Sequence, residues 1–359
     1  MHEKMRMRLH ILIALAAMSI AACTKQTPEP SPQGPDSPRS YIFFEPSVNK
    51  SVDAKTALIE GETLPADAGT AFGVLGYYDG ISLFSSAYSS TNGIARVYRP
   101  EGSTETNRLP FQYDNLIYWH HPTANHEFYA FYPYSLSAVP NNGDPYITYT
   151  QPTSNDANMV DLMTAYTSTP KCSLVELTFH HRLWALDVVI TNNQTHGIDA
   201  NDAVTDAPTL TIKSVSVIVE NFPTGATIYL DKDYKENEAD NTPGIALNSA
   251  TTSQPSTYTL TPAGTEDTLN NSGTTSSKQY GSCLFLPVSS GVFKYKLNIT
   301  YLDSRGDECA FLTTLKTVNK AFEAGKRYKL SVTKTNDTFV VGTLSPSDWT
   351  DQNVNHEFN

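Results

Sequence analysis

The sequence has little cysteine and no concentration of basic charge. It contains 4 Cys in 359 residues, and its 25 Lys and Arg against 37 Asp and Glu give a net charge of −12. Nucleic-acid binding needs Lys and Arg clustered on one face, so the scattered basic residues argue against a nucleic-acid partner. Beyond the N-terminal segment, no run is long and apolar enough to span a membrane as a helix.

The motifs of common catalytic sites are also missing. There is no Gly-x-Ser-x-Gly elbow, no Gly-rich loop between a strand and a helix, and the carboxylates are dispersed. Two histidine pairs occur, His120 with His121 and His180 with His181, but neighbours on a strand point to opposite faces and cannot both bind one ion. We therefore predict no enzymatic activity, no metal and no cofactor, and we expect these histidines to pack and to form hydrogen bonds.

The N-terminus has the two parts of a secretory signal. Residues 1–8 carry three basic side chains, and residues 9–22 form an apolar run that is too short for a bilayer core, which needs roughly 20 helical residues. The run ends in Ile-Ala-Ala followed by Cys23, which resembles the lipobox cleaved by lipoprotein signal peptidase. We predict a lipoprotein signal peptide at residues 1–22 and lipidation of Cys23.

The composition changes after Cys23. Residues 23–40 are rich in Pro, Ser and Gln, cannot bury apolar surface, and are predicted to form a flexible tether. The rest of the chain has a length that usually means two domains. We place their boundary in the polar stretch 192–208, which predicts an N-terminal domain at 41–195 and a C-terminal domain at 196–359.

Three cysteines remain once Cys23 carries a lipid, namely Cys172, Cys283 and Cys309. An exported protein is in a compartment that permits disulfides, and Cys283 and Cys309 both lie in strand-like runs, so they could pair. Two buried free thiols acting as small apolar residues fit the sequence as well. Both alternatives stay open.

Short strands dominate the mature sequence. Runs rich in β-branched and aromatic residues recur, bounded mostly by Gly, Pro, Asn or Asp, and a 3.6-residue period is sustained nowhere. Residues 158–166 are the one place where a short turn of helix is expected. The clearest strands are expected at 71–78, 127–132, 146–150, 175–179, 183–191, 211–219, 226–230, 293–301, 327–335 and 339–344. This pattern predicts an all-β protein built of antiparallel sandwiches.

Aromatic residues are abundant, with 20 Tyr and 15 Phe. The run Phe128, Tyr129, Phe131, Tyr132 and Tyr134 has two interpretations. It suits a platform for a sugar ring, and it equally suits half-buried strands in which tyrosine packs its ring and keeps its hydroxyl in water. We favour packing.

Several short motifs follow the lipobox in a fixed order and together resemble the fimbrillin family, the lipoprotein-derived subunits of type V pili. The likeness extends over most of the mature chain. The motifs are a first strand at Tyr41, Ile42, Phe43 and Phe44, then Phe72-Gly73-Val74-Leu75-Gly76-Tyr77, Tyr118-Trp119, the aromatic run at 128–134, Asp161-Leu162-Met163, Leu177 to Leu183, Phe322 to Tyr328, and Trp349-Thr350-Asp351.

The resemblance implies a fold and a mode of assembly. The fold would be two transthyretin-like antiparallel β-sandwiches in tandem, and the protein would be exported as a lipoprotein to the outer-membrane surface. A trypsin-like protease would cut the loop after the first strand. Losing that strand would open a groove that an extended segment of the next subunit fills, because unpaired backbone groups and an apolar slot recruit a strand.

One departure from the family concerns the loop at residues 49–67. The family often has an arginine there, whereas this loop holds only Lys50 and Lys55 as basic residues. Either a lysine is cut, which makes these two the candidate processing positions, or the subunit keeps its first strand and its lipid. An anchor or accessory subunit would do the latter.

We therefore expect a structural or accessory subunit of a cell-surface pilus with a role in adhesion. Its partners would be other pilus subunits, through β-strand addition, the outer membrane, through the lipid at Cys23, and a host or glycan ligand. The alternative is a surface glycan-binding lipoprotein that uses exposed aromatic residues. Coplanar exposed rings in a cleft would favour the glycan alternative, and a first strand in a long apolar groove would favour assembly.

Overall fold

The regular secondary structure of the described residues consists entirely of β-strands. The computed structural model describes residues 42–48, 71–84, 93–98, 112–113, 117–121, 123–140, 145–154, 159–171, 174–199, 201, 203–206, 208–230, 244–260, 267–271 and 276–347. The all-β prediction is confirmed for these residues, and none of them forms a helix long and apolar enough to cross a membrane. The predicted signal peptide and tether lie outside the described residues.

The described residues contain 24 strands, most of them short. In chain order these are β1 (Phe44–Val48), β2 (Ala71–Tyr78), β3 (Ile81–Ser82), β4 (Ala95–Tyr98), β5 (Gln112–Tyr113), β6 (His126–Tyr132), β7 (Ala138–Val139), β8 (Tyr146–Thr150), β9 (Met163–Thr169), β10 (Val175–His181), β11 (Trp184–Asn192), β12 (His196–Ile198), β13 (Val204–Asp206), β14 (Leu210–Val219), β15 (Gly225–Tyr229), β16 (Ile245–Leu247), β17 (Ser256–Thr259), β18 (Asp267–Leu269), β19 (Ser277–Phe285), β20 (Lys294–Leu302), β21 (Glu308–Leu312), β22 (Lys316–Thr317), β23 (Arg327–Lys334) and β24 (Phe339–Ser347).

The first sheet has eight strands in the order β1-β10-β9-β6-β2-β4-β5, with β3 paired to β2. Its central strand β2 is buried on both faces: Phe72 and Val74 join one hydrophobic core, and Leu75 and Tyr77 join another. A strand that is buried on both faces has apolar residues at successive positions, which explains the continuous apolar sequence of β2. Gly73 is required because a Cβ at this position would lie 2.2 Å from the ring of Phe131 on β6.

Two further sheets pack against each other. One has the order β19-β11-β23-β24, and the other has the order β17-β14-β20-β21, with β18 on β14 and β22 on β20. They meet across a shared core, where the ring of Phe339 on β24 lies 5.0 Å from Tyr301 on β20 and 5.1 Å from Phe311 on β21. Trp184 at the start of β11 stacks on Phe322 at 4.2 Å and is fully buried.

The remaining strands form a four-stranded sheet, β16-β15-β8-β7, and a β12–β13 hairpin. Pairing therefore crosses residue 195, since β8 pairs with β15 and β11 pairs with β19 and β23. Residues 184–192 thus share a sheet with C-terminal strands. The predicted bounds 41–195 and 196–359 stay a prediction.

Three expectations need correction. Not all pairing is antiparallel: β1 with β10, and β11 with β23, are parallel. Parallel strands are joined by long connections, so the local sequence pattern does not predict which strands pair in parallel. The helical turn expected near 158–166 is wrong, because Met163 starts strand β9, which pairs with β6 and β10. The first strand begins at Phe44 and ends at Val48, later than the expected Tyr41 to Phe44.

The two described cysteines are free thiols. Cys283 is fully buried on β19, and Cys309 is partly buried on β21. Burial, reinforced by the nearby charge of Asp187, raises the pKa of the Cys283 thiol well above its ordinary value. A protonated, enclosed thiol behaves as a small apolar side chain, which is the second of the two alternatives left open by the sequence.

Candidate functional site: the first-strand groove

The first strand lies at one end of the eight-stranded sheet. β1 runs parallel to β10, in a register from Phe44 opposite Val175 to Val48 opposite Phe179. Two more backbone hydrogen bonds hold the residues before it: Ile42 N–H donates to the Ile117 carbonyl at 2.9 Å, and Val175 N–H donates to the Phe43 carbonyl at 2.7 Å. Among the described residues, β10 is the one strand that pairs with β1, which places β1 at the end of the strand order.

The strand fills an apolar groove with every second side chain. Ile42, Phe44 and Pro46 are buried, whereas Phe43 is half-buried and Glu45 is exposed. Alternation places the first three on one face of the chain, as a period of two requires. The face with Ile42 and Phe44 is therefore the buried one.

The groove walls come from three other strands of the same sheet. The Phe44 ring meets Phe128 of β6 edge-on at 5.5 Å, and Phe72 of β2 meets Phe179 of β10 at 5.4 Å. All four rings are buried in one hydrophobic cluster. Burying a Phe or Ile side chain contributes roughly 1.5–3 kcal/mol, so the inward residues of this strand supply a large share of a domain's usual stability.

The groove carries no reactive chemistry among its described residues; its surface suits an extended apolar strand. Of the residues that the sequence singled out, Ile42, Phe43 and Phe44 lie in or beside it. Cys23, Lys50, Lys55 and Tyr41 lie outside the described residues. No group of three or more His, Cys, Asp or Glu side chains placed to hold a metal ion occurs in the described ranges.

The aromatic run packs in the core. Phe128, Tyr129 and Phe131 are buried, and Tyr132 and Tyr134 are half-buried. Among the residues whose burial is described, no Tyr, Phe or Trp is exposed. A platform of exposed rings is therefore not formed by this part of the chain, and packing is the interpretation that the structure supports.

A buried ion pair that the sequence pattern did not predict joins two distant segments. Arg327 on β23 donates to both carboxylate oxygens of Asp187 on β11, and Ser282 on β19 donates to Asp187 at 2.6 Å. Both charged side chains are almost fully buried. The signal was present, since Asp187 interrupts an apolar run, but the partner lies 140 residues away.

The second histidine pair is split by the fold. His181 is buried, and its Nδ1 lies 2.9 Å from Oδ1 of Asp161. Asp161 lies two residues before Met163, the first residue of β9. Burial lowers the pKa of His181, but the charge of Asp161 and the hydrogen bond to it outweigh burial, so the pKa is raised overall. The pair ties the segment before β9 to the end of β10.

This pair predicts a pH dependence. A histidine whose folded pKa is raised adds stability that is complete below its unfolded pKa of about 6.5 and is lost as pH rises through the folded pKa. We expect Asp161→Asn to destabilise the protein most at pH 6 and progressively less towards pH 9, as measured by urea unfolding at each pH. If the difference in free energy of unfolding between the variant and the unchanged protein is the same at every pH, protonation of His181 is not coupled to folding.

Comparisons with known proteins agree with this architecture. A fimbrial protein from Bacteroides vulgatus ATCC 8482 has 16% identity and a TM-score of 0.51, over 87% of this chain and 100% of its own. Candidate cell adhesion proteins from Bacteroides ovatus ATCC 8483 and Bacteroides uniformis ATCC 8492 have 15% and 17% identity and TM-scores of 0.51 and 0.50. They match 88% and 86% of this chain and 100% and 99% of theirs. At such identities the likeness shows a shared fold.

The sequence itself decides the family. No curated protein matches the chain. A family model described as fimbrillin-like matches residues 69–349, which is most of the chain and contains strands β2 to β24. The chain therefore belongs to the fimbrillin-like family.

Proposed function

We propose that the protein is a structural or accessory subunit of a cell-surface pilus that assembles by strand exchange at the first-strand groove. The observation that carries this proposal is the placement of β1: an edge strand whose inward side chains Ile42, Phe44 and Pro46 fill an apolar groove. The protein is a structural component and not an enzyme. The fold would be two transthyretin-like sandwiches in tandem.

The geometry supports replacement of β1 by another strand. Within the described part of the chain β1 pairs with β10 alone, and the loop predicted to be cut, residues 49–67, directly follows it in the chain. Once that loop is cut, the described interactions that retain the strand would be its hydrogen bonds to β10 and Ile117 and its apolar contacts. A donor strand restores the same backbone pairs and fills the same slots, which is the physics of strand addition.

The donor segment would be residues 339–344 of a neighbouring subunit. In this chain they form part of β24, an edge strand with no charged side chain, in which Phe339 is buried and Val341 and Leu344 are partly buried. Phe339, Val341 and Leu344 pack on the core from one face, because the pairing with β23 shifts its register between Val341 and Leu344, whereas Val340 is exposed. We favour an anchor or accessory role over a stalk role, because the loop at residues 49–67 holds Lys50 and Lys55 but no arginine.

N-terminal sequencing of the protein from sheared pilus material and from the outer membrane tests this proposal. An anchor or accessory subunit should start at lipid-modified Cys23, and a processed subunit should start within residues 49–67, after Lys50 or Lys55. Absence of the protein from both fractions, or a start beyond Ala71 that removes part of the fold, would contradict a role in the pilus.

The anchor has its own test. Cys23→Ala should abolish metabolic labelling by palmitate and move the protein out of the membrane fraction, because the neighbouring side chains offer no other thiol. Cys283→Ala, which removes a buried thiol far along the chain, is the matched control and should keep the label. Labelling that survives Cys23→Ala would overturn the lipid attachment.

A further inference from the structure

A second feature of the first-strand region is a loop built around histidine. Residues 117–126 lead into β6 and contain His120, His121 and His126. The ring of Tyr78, at the end of β2, stacks on His126 at 4.9 Å with an interplanar angle of 27°. It also stacks on His121 at 5.7 Å with an angle of 16°.

The hydrogen bonds around His126 require one neutral tautomer. Its Nδ1 lies 3.0 Å from the carbonyl oxygen of Ala124, which can only accept, so Nδ1 carries the proton. Its Nε2 accepts the backbone N–H of His120 at 3.3 Å and is therefore bare. A proton on Nε2 would place two donors against each other.

His121 uses a bare ring nitrogen in the same way. Its Nδ1 accepts the backbone N–H of Thr123 at 3.2 Å and that of Ala124 at 2.9 Å. Together the two rings accept three backbone N–H groups of one short loop. A proton on these two atoms would remove all three hydrogen bonds and would place two positive charges against the ring of Tyr78.

The environment of His126 disfavours a positive charge on its ring. Burial, opposed by the Ala124 hydrogen bond and assisted by His120 and His121, lowers the pKa of His126. The strands packed beside it contribute the Tyr78 ring from β2 and Thr169 from β9, opposite His126 in the register. The charged residues on these strands or just beyond their ends, within the described ranges, are Asp79, Glu127 and Lys171. Glu127 follows His126 on β6 and accepts a hydrogen bond from Tyr166.

The histidine loop also holds the start of the first strand. Its Ile117 carbonyl accepts the Ile42 N–H. Trp119 meets His126 edge-on at 4.8 Å and Phe128 at 5.8 Å, and Phe128 is the ring against which Phe44 packs. Movement of the histidine rings would therefore affect the first strand in two ways. It would weaken the Ile42–Ile117 hydrogen bond, and it would shift the packed rings of Trp119 and Phe128 against Phe44.

We propose that the loop at 117–126 is an acid-sensitive clasp on the first strand: neutral histidines hold the loop against Ile42, and mild acid releases it. The clasp acts within one chain and needs no partner subunit, so it goes beyond the proposed role in a pilus. It would make departure of the first strand from its groove easier in acid than at neutral pH.

Amide hydrogen exchange on the intact protein at pH 7.5 and pH 5.5, corrected for the intrinsic chemical rate, measures this release. We expect exchange in peptides covering 42–48 and 117–121 to become on the order of tenfold faster at pH 5.5, which corresponds to about 1.4 kcal/mol. Peptides from β20 should not change. Equal corrected rates at the two pH values would overturn the clasp.

Substitutions separate the clasp from general acid effects. His121→Asn and His126→Gln keep side-chain oxygens near the two acceptor positions but do not titrate, so the double variant should lose the pH response. His196→Gln, on the exposed β12 hairpin strand, should retain it. If the double variant is poorly folded, His121→Asn alone should reduce the response. A full response in the His121→Asn or the double variant would overturn the proposal.

Discussion

Asp187→Ala is expected to lower the free energy of unfolding by about 3–5 kcal/mol. The substitution leaves the Arg327 guanidinium buried without its carboxylate, and an uncompensated buried charge is far more costly than a lost surface pair. Urea unfolding followed by circular dichroism measures the change. Because such a loss is a large fraction of a typical domain's stability, the variant should also express poorly.

Two variants show whether the charge is responsible. Replacing both partners, as in Asp187→Leu with Arg327→Met, removes both charges and should be less damaging than Asp187→Ala alone. Lys213→Ala removes one partner of the exposed pair with Glu308, 3.4 Å apart, and should cost no more than about 1 kcal/mol. If the double variant is as unstable as the single one, shape and not charge determines the loss.

Phe44→Ala is expected to cost about 3–5 kcal/mol, the usual range for emptying a buried aromatic site. Phe44 is 4% exposed and packs on Phe128 within the groove. The matched control is Phe43→Ala, the same chemical change one residue earlier on the other face, where the side chain is half-buried. The control should cost clearly less.

The comparison between these two substitutions reports on the groove itself. If Phe43→Ala and Phe44→Ala destabilise equally, the first strand is not held by one inward face. If neither destabilises, the strand contributes nothing to the native state. Either result would remove the physical basis for treating the first strand as the occupant of a groove.

Most strands could be predicted from the sequence because their signal is local. The runs at 71–78 and 146–150 match β2 and β8 residue for residue, and Phe293 to Tyr301 alternates as β20 does, with Phe293, Tyr295, Leu297 and Ile299 buried. β-branched and aromatic residues between turn residues are enough to place such strands.

What the sequence could not show is pairing between distant segments. β9 carries Ser and Thr at most positions of its second half, and it is a strand because β6 and β10 flank it. The parallel partners β1 and β10 lie more than a hundred residues apart, as do β11 and β23. For the same reason the sequence did not identify Arg327 as the partner of Asp187, which lies 140 residues away. The sequence does show that Asp187 is a charged residue within an apolar run.

The candidate site was predictable in part. The resemblance to fimbrillins pointed to the first strand, and the family is confirmed by the match over residues 69–349. The position of the strand was wrong by three residues at its start, because Ile42 and Phe43 extend beside the sheet without ladder pairing while Pro46 occupies a strand position. Pro is tolerated there because β1 is an edge strand.

The most direct test of strand exchange is peptide binding to a form that lacks residues 41–48. A peptide of residues 41–48 should bind this form and restore its stability, and the same peptide with Phe44→Asp should not. A peptide spanning Thr338 to Leu344, or intact protein, should occupy the same groove and compete with the first peptide. A folded monomer that binds neither the 338–344 peptide nor intact protein would contradict strand exchange.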